Sequence, residues 1–367
     1  MVSSNRPKSE ALCSVKERFI RASEQQEERA HDLRIENPVG FCKIPLGVAG
    51  PLRVANSANA DEIYAPLATY EATLVASYAQ QWNVTISGIC FYQPNDAIAF
   101  VKDLPSMQDR FTRWAEGTSS HVKLQGLKPA IIGSQVHLFC NYDCGLASGQ
   151  NMVTKATQFA CDMLMEAFAE RYRIKDFLVE GQLASDKKPS WGNVGRARGV
   201  EVLVWGKITQ AACQYVLGCT TQRLYMAQQT LKEGGIRNGQ FGSNFNTANI
   251  LAAMFISTGQ DPASTAEASW SHLTSELDAE TGDLKMSLFF PSLPVGTVGG
   301  GTGFAMQKEA LKVLQCDNGE PGDKPKLAGI IAAFALALDA STSAAIANNT
   351  FTASHMRLAR GEVPAKL

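Results

Sequence analysis

An unbroken apolar run, "LAGIIAAFALAL" at residues 327–338, constrains the fold more than any other feature of the sequence. The run has 12 residues and ends at Asp339, whereas a helix needs roughly 20 apolar residues to span a bilayer. It therefore predicts a helix buried in a protein core. With 367 residues, of which 45% are hydrophobic, the chain can bury such a core and is long enough for two or three domains.

Charge and cysteine content exclude several classes of protein. Lys and Arg together number 34 against 35 Asp and Glu, and the absence of a long basic run argues against nucleic acid as a partner. The nine cysteines are scattered and form no CxxC pair, so we predict neither a disulfide framework nor a metal site. The polar, charged start of the chain is typical of neither a secretory signal nor a membrane anchor. We expect a cytoplasmic protein with no membrane segment.

The pattern of apolar residues indicates an α+β protein. Short β-rich runs such as "ICFYQ" and "QVHLFCNY" alternate with helices up to residue 178, which predicts a small α+β unit inserted in a larger, helix-rich domain. The charged N-terminal helix is either an arm that packs or oligomerises, or a solvated surface helix. The predicted divisions are 1–35 as an N-terminal helical segment, 36–87 with 190–367 as the large domain, 88–178 as the small domain and 179–189 as a connecting loop.

Two glycine-containing stretches could bring the backbone close to a ligand. The first, "LASGQ" at 146–150, precedes a helix predicted from about Asn151, and a helix N-terminus offers free N–H groups and a favourable dipole to phosphate. An ordinary helix start is the alternative. The second, "GTVGGGTGF" at 296–304, has three consecutive glycines, which are tolerated where a ligand or helix approaches; a flexible loop is the alternative.

Polar residues stand in apolar or glycine-rich surroundings at Glu71, Asp186–Lys188, Asp261 and His355. Each alone has a simple structural explanation, such as a first-turn acid or a residue in a turn. Together they offer an acid that carries protons, a lysine that stabilises an oxyanion, an aspartate that tunes it and a histidine that protonates a leaving group. This set suits reduction or acyl chemistry at a carbonyl, without selecting a substrate.

Six segments follow one another in the order found in a known enzyme family. They are "ENPVGFCKIPLGVAGPL", "TYEATLVAS", "DKKP", "STGQDP", "PSLPVGTVGGGT" and "SHM", and the likeness runs from about residue 36 to 356. The chain resembles the 3-hydroxy-3-methylglutaryl-CoA (HMG-CoA) reductases in their eukaryotic form. The resemblance implies a large helical domain that binds acyl-CoA, a small inserted ferredoxin-like α+β domain that binds NADPH, and active sites shared between subunits of a homodimer or homotetramer.

The resemblance also implies roles for individual residues. Lys187 would stabilise the oxygen of the thioester, hemithioacetal and aldehyde in turn, and Asp261 would tune Lys187 and Glu71. Glu71 would donate a proton in the second reduction, and His355 would protonate the departing CoA thiolate. Two hydrides from two NADPH would then convert the thioester to the alcohol of mevalonate. The implied cofactor-binding residues are Ser148, Gly149, Gln150, Asn151, Gly299, Gly300 and Gly301, and the implied substrate-binding residues are Glu180, Asp186, Lys188, Lys232 and Asn246.

The chain departs from the family pattern in both binding regions. Leu146 stands where the nucleotide motif has an acid, which weighs against NADPH, and Ser87 stands where the family has a basic residue. Glu180 replaces a serine, and Lys232 aligns with the lysine that grips the substrate carboxylate. Retained catalytic residues with altered binding residues leave three alternatives open. The first is reduction of HMG-CoA. The second is a reaction on another thioester or carbonyl, with or without net redox chemistry. The third is an inactive binding subunit, which the retained catalytic residues disfavour.

Overall fold

The computed structural model describes residues 10–28, 43–55, 60–69, 83–179, 183, 187–195 and 198–350. In these ranges the strands are β1 Leu46–Ala55, β2 Ala60–Ala68, β3 Asn83–Phe91, β4 Lys123–Ile132, β5 Gln135–Asp143, β6 Ile174–Leu178, β7 Val200–Ile208, β8 His272–Leu277 and β9 Leu284–Leu293. The helices are α1 Glu10–Glu28, α2 Pro94–Glu116, α3 Gln150–Tyr172, α4 Gly192–Gly195, α5 Gln210–Ala212, α6 Thr221–Arg237, α7 Thr247–Thr258, α8 Thr265–Ala268, α9 Ala305–Val313 and α10 Asp323–Ala347.

The segment from Asn83 to Leu178 forms a four-stranded sheet covered by two helices. The strands pair antiparallel in the spatial order β4-β5-β3-β6. The chain order β3-α2-β4-β5-α3-β6 is that of the ferredoxin-like fold. This arrangement confirms the predicted α+β class with a ferredoxin-like unit inserted in a larger one. Strand β3 begins ahead of the boundary predicted at residue 88, and the domain divisions themselves remain predictions.

Helix α2 illustrates how the sequence builds this unit. Pro94 begins the helix, a position where its missing N–H would have no intrahelical partner in any case. The Phe100 ring packs 5.3 Å from that of Phe91 on β3 and 5.7 Å from that of Tyr172 at the end of α3, centroid to centroid. Apolar residues recur every three or four positions and face the core. The buried ones are Ala97, Phe100, Leu104, Met107, Phe111 and Ala115.

Described residues outside this segment build a second core around a three-stranded antiparallel sheet. The spatial order of this sheet is β7-β9-β8. We predicted a helix-rich chain after residue 190, and the sheet is an addition to that prediction. The central strand β9, "LKMSLFFPSL", alternates buried and less buried residues from Leu284 to Phe289 and is buried throughout from Phe290 to Leu293. Its first five residues therefore carry the alternation that is typical of a half-buried strand.

Helix α10 confirms the prediction made for the apolar run. It packs against β7, β9, α6 and α7, and residues from Leu327 to Ala335 are almost completely buried. Among the described helices of at least 18 residues, α10 is long and apolar enough to cross a membrane, yet 61% of its most apolar window is buried inside the protein. The run is therefore part of the core in this structure.

Helix α1 packs on the large unit rather than standing in solvent. Val15 and Phe19 are buried against Ala310 and Val313 of α9. An ion pair between Arg18 and Glu309 lies beside this contact. Of the two alternatives for the charged N-terminal helix, the structure favours the packing arm.

The aromatic core of the small unit leads to a stability prediction. Phe100→Ala should lower the free energy of unfolding by about 3–5 kcal/mol, because the buried ring leaves a cavity. Ile98→Ala, on the same helix but 53% exposed, should change it by less than about 0.5 kcal/mol. Urea denaturation followed by circular dichroism would measure both. Equal effects of the two substitutions would contradict the described packing.

Candidate active site

The predicted catalytic lysine and aspartate lie side by side. Lys187 Nζ is 3.1 Å from Asp261 Oδ2, and the two side chains are 43% and 35% exposed. Asp261 Oδ1 accepts a hydrogen bond from the backbone N–H of Ala263 at 3.0 Å. The turn that begins at Pro262 therefore holds the carboxylate in place. The pair presents a partly exposed ammonium whose counter-ion is fixed by the backbone.

A buried carboxylate holds the backbone of the lysine loop. Lys187 has a φ of 56°, a left-handed conformation that costs a residue with a side chain roughly 1–2 kcal/mol. Its N–H donates to Glu267 Oε1 at 3.2 Å. Glu267, whose side chain is fully buried, forms an ion pair with Arg198, which donates from Nε to Glu267 Oε2 at 3.2 Å. The fold thus compensates for the strain at Lys187 with a contact from its interior.

The same arginine reaches the predicted nucleotide helix. When the amide of Gln150 is oriented with its oxygen towards Arg198, it accepts hydrogen bonds from Nη1 and Nη2, each at 3.2 Å. Gln150 is the first residue of α3. Ser292 on β9 accepts from the Arg198 N–H at 3.2 Å and donates to its carbonyl. A continuous set of contacts therefore joins the start of α3 to Lys187.

The two glycine-containing stretches singled out in the sequence lie against each other. The Thr297 N–H donates to the Leu146 carbonyl at 2.9 Å, and Ala147 pairs with Val298 as a parallel bridge. A Cβ on Gly296 would lie 2.4 Å from the backbone nitrogen of Ser148, so only glycine fits there. This packing explains why a glycine stands at the start of the second stretch.

The glycine-rich stretch is also bonded to Gln260, the neighbour of the predicted catalytic residue Asp261. The side-chain amide of Gln260 accepts from the Gly296 N–H at 2.8 Å and donates to the Gly296 carbonyl at 2.9 Å. A Cβ on Gly301 would meet the Gly259 carbonyl oxygen at 2.9 Å. The implied cofactor residues at 148–151 and 299–301 therefore belong to one neighbourhood that adjoins Asp261, although Asn151 itself is exposed on α3.

The implied substrate residue Asn246 is positioned by a buried aspartate. Asp339 on α10 accepts the N–H of Phe245 at 3.0 Å and that of Asn246 at 2.8 Å. Asp339 is fully buried, and this burial raises the pKa of its carboxyl from 3.8 to about 7. The Asn246 side-chain oxygen accepts from Asn249 Nδ2 at 2.6 Å. Helix α7 thus begins at a point fixed by the core helix.

An aromatic cluster follows the lysine loop. Trp191 is 70% exposed, and its ring centroid lies 5.7 Å from that of Phe241 and 5.9 Å from that of Trp270. Trp270 in turn meets His272 at 4.7 Å. Burial, and to a smaller extent the charge of Lys232, lowers the pKa of His272. Lys232 therefore lies within electrostatic range of this cluster, whereas Lys188 is exposed on the loop itself.

Several predicted residues lie outside the described residues, namely Glu71, Glu180, Asp186 and His355. Ser87 lies on β3, where its backbone pairs with Leu138. Among the described residues, no group of three or more His, Cys, Asp or Glu side chains is arranged to hold a metal ion.

The chain is similar to known proteins along nearly its whole length. Residues 6–360 match the family model of hydroxymethylglutaryl-coenzyme A reductase, which covers nearly the whole chain. The chain belongs to the HMG-CoA reductase family. It is accordingly an oxidoreductase of that family, and its fold and ordered motifs agree with this assignment.

Curated relatives support the family assignment along most of the chain. The HMG-CoA reductase of Aeropyrum pernix is 35% identical over 354 residues, covering 89% of this chain and 82% of that protein. The reductase of Methanothermobacter thermautotrophicus is 32% identical and covers 96% of this chain and 91% of that protein. Reductase 1 of Hevea brasiliensis is 31% identical, but the alignment spans 60% of the plant protein.

A solved structure supports the fold. The class II HMG-CoA reductase of Streptococcus pneumoniae bound to NADPH, in open conformations, superposes with a TM-score of 0.65 at 18% identity. The match covers 92% of this chain and 93% of that chain. The likeness therefore extends over both the ferredoxin-like unit and the larger unit.

The residues that position Lys187, the predicted catalytic lysine, carry no local signal in the sequence. Arg198 and Glu267 are separated by 69 positions, and no local pattern announces their contact. Asp339 gave a readable signal, because a single carboxylate that ends a long apolar run requires buried hydrogen-bond donors. Gln260 was quoted within "STGQDP", but its contact with Gly296 is visible only in the fold.

The buried Asp339 carboxyl predicts a specific dependence of stability on pH. Because its folded pKa is raised to about 7, its contribution to stability is complete below 3.8 and is lost as pH rises towards about 7. Relative to Asp339→Asn, the wild-type free energy of unfolding should therefore fall across this range. Urea titrations at several pH values would measure the difference, with Asp109→Asn, exposed on α2, as the charge control. A difference in the free energy of unfolding between wild type and Asp339→Asn that does not change with pH would contradict the raised pKa of Asp339.

Proposed function

We propose that this chain reduces HMG-CoA to mevalonate and free CoA with two NADPH. The observation that carries the proposal is the Lys187–Asp261 pair, 3.1 Å apart, joined through Glu267 and Arg198 to the start of α3. An ammonium held beside a predicted nucleotide segment suits a reaction in which negative charge develops on a carbonyl oxygen.

The residues present fit a dinucleotide. Helix α3 has 23 residues and begins after Gly149, whose φ of 80° suits glycine, so its first N–H groups offer a site to a phosphate. The Leu146 carbonyl accepts the Thr297 N–H, and this backbone contact does not depend on which side chain stands at position 146. The leucine at this position is therefore compatible with the turn. Residues 148–151 and 299–301 would hold the nucleotide, which supplies the hydrides when bound.

Side chains of this protein would then stabilise the negative charge that develops on the substrate oxygen and would supply the protons. Lys187 would stabilise the oxyanion formed from the thioester and later from the aldehyde, because its ammonium is partly exposed while its counter-ion is fixed. Asp261 would hold the Lys187 ammonium in position through their ion pair. The roles of Glu71 as proton donor and His355 as acid towards the CoA thiolate follow from the family resemblance.

A second candidate is a reaction of the same fold on another thioester or carbonyl. It is favoured by the surroundings of two implied substrate residues. The Asn246 side-chain oxygen already bonds Asn249, and Lys232 lies near the aromatic cluster at Trp270 and His272. Such neighbours would alter the recognition of the non-reacting part of a substrate.

We also propose that the chain works as a homodimer or homotetramer. Large apolar side chains are exposed on β7 and on the short π-helix Cys213–Leu217 that follows α5, including Leu203 at 53%, Trp205 at 77% and Tyr215 at 93%. Surfaces of this kind are commonly covered by a partner subunit. The cytoplasmic location remains a prediction from the scattered cysteines.

The lysine provides the direct test of the proposed chemistry. Lys187→Met should lower kcat for NADPH oxidation with HMG-CoA by roughly 100-fold or more, since it removes the oxyanion-stabilising charge. The fold should survive, because the bond from the Lys187 backbone to Glu267 is unaffected. Lys285→Met, at an exposed lysine on β9, is the matched control and should keep wild-type activity. Turnover by Lys187→Met at the wild-type rate would rule out the assigned role.

A further inference from the structure

A lysine lies inside the protein directly below the predicted nucleotide segment. Lys324, in the first turn of α10, is only 2% exposed. Its ammonium donates to the carbonyl of Gly145 at 3.1 Å and to that of Ala147 at 2.8 Å. Burying an ammonium costs several kcal/mol unless hydrogen bonds compensate. Two backbone carbonyls of one loop provide that compensation here.

Together with a bond from the Thr297 N–H, these two bonds fix three consecutive carbonyls of the loop at 144–149. Lys324 binds the first and third, and the Thr297 N–H binds the one between them, on Leu146. The Asp143 carboxylate also accepts the Gly145 N–H at 2.8 Å. The loop therefore has little freedom to change its backbone conformation, although it carries two glycines.

The fixed carbonyls set the direction of the loop's donors. In a trans peptide the C=O of one residue and the N–H of the next point in opposite directions. With the carbonyls of Gly145 and Ala147 directed at Lys324, the N–H groups of Leu146 and Ser148 point away from it. The loop then leads into Gly149 and the start of α3, where the phosphate groups of a dinucleotide are proposed to bind.

We propose that Lys324 is a positioning residue of the nucleotide site, a role that rests on the NADPH-dependent function proposed above. Its ammonium fixes the backbone of the loop at 144–149, which leads into Gly149 and the first N–H groups of α3, where an anionic ligand is proposed to bind. It also adds a positive charge beneath that ligand, which a low-dielectric interior makes effective over several ångströms.

The charge of Lys324 can be removed without a mutation. Burial lowers the pKa of its ammonium to about 8, although Cys144 and Asp143 act in the opposite direction. The Cys144 thiol, whose pKa burial raises to about 11, stays neutral in this range, and Asp143 is exposed at the end of β5. A neutral amine still donates two hydrogen bonds. Raising the pH through about 8 therefore removes the charge while the loop geometry persists.

The test compares Lys324→Met with Lys326→Met, the same substitution two residues later. Lys326 bonds Gln315 on the surface and does not reach the loop. Calorimetry would give the Kd of NADPH at about pH 7 and about pH 9, on either side of the Lys324 pKa. Amide hydrogen exchange in the absence of nucleotide would report the order of residues 145–149.

We expect Lys324→Met to speed exchange within this loop and to weaken NADPH binding by roughly tenfold or more at the lower pH. The wild type should lose affinity at the higher pH, whereas Lys324→Met should show no such change. Lys326→Met should follow the wild type in both measurements.

Wild-type exchange and affinity in Lys324→Met would overturn the proposal. If Lys324→Met does not fold, the Kd of NADPH for the wild type and for Lys326→Met is compared at the two pH values. A Kd that stays the same at both pH values in both proteins overturns the role of the Lys324 charge. Failure of the wild type to bind NADPH would contradict the proposed function instead. In that case the exchange rates still decide whether Lys324 fixes the loop.

Discussion

The buried ion pair between Arg198 and Glu267 is the interaction on which the geometry of the site depends. Glu267 accepts the N–H of Lys187 and so holds a left-handed backbone conformation, while Arg198 reaches Gln150 at the start of α3. Loss of one partner of such a pair costs about 3–5 kcal/mol, because it leaves a buried charge uncompensated. The position of the Lys187 ammonium relative to α3, the predicted nucleotide helix, is therefore set by residues that need not touch a ligand.

The contacts that hold the loop at 144–149 and the glycine-rich stretch in the candidate site involve a backbone group on at least one side. The loop at 144–149 is bonded to Thr297, Val298 and Lys324, and the glycine-rich stretch is bonded to Gln260, the neighbour of Asp261. Glycines stand where a Cβ would collide with another main chain, as at Gly296. The ferredoxin-like unit and the larger unit thus meet at the site through close main-chain packing, which a change of side chain such as that at Leu146 leaves in place.

Local pattern and ordered motifs predicted much of this structure, and long-range contacts account for what they did not predict. The run at 327–338 and the alternation before residue 178 gave the core helix and the α+β unit, because both signals are local. The pairing of Lys187 with Asp261 followed from the family resemblance. The strand β9 escaped prediction although its first five residues alternate as those of a half-buried strand do, whereas the contact of Arg198 with Glu267 spans 69 positions and leaves no local pattern. Glu71 and His355 remain predictions.

The stoichiometry of the reaction tests the central claim most directly. Purified protein would be mixed with HMG-CoA and excess NADPH, and the NADPH oxidised, the CoA thiol released and the mevalonate formed would be counted in the same sample. The account predicts two NADPH oxidised for each thiol and each mevalonate. Absence of NADPH oxidation with HMG-CoA would contradict it, and oxidation with a different thioester alone would establish the second candidate in its place.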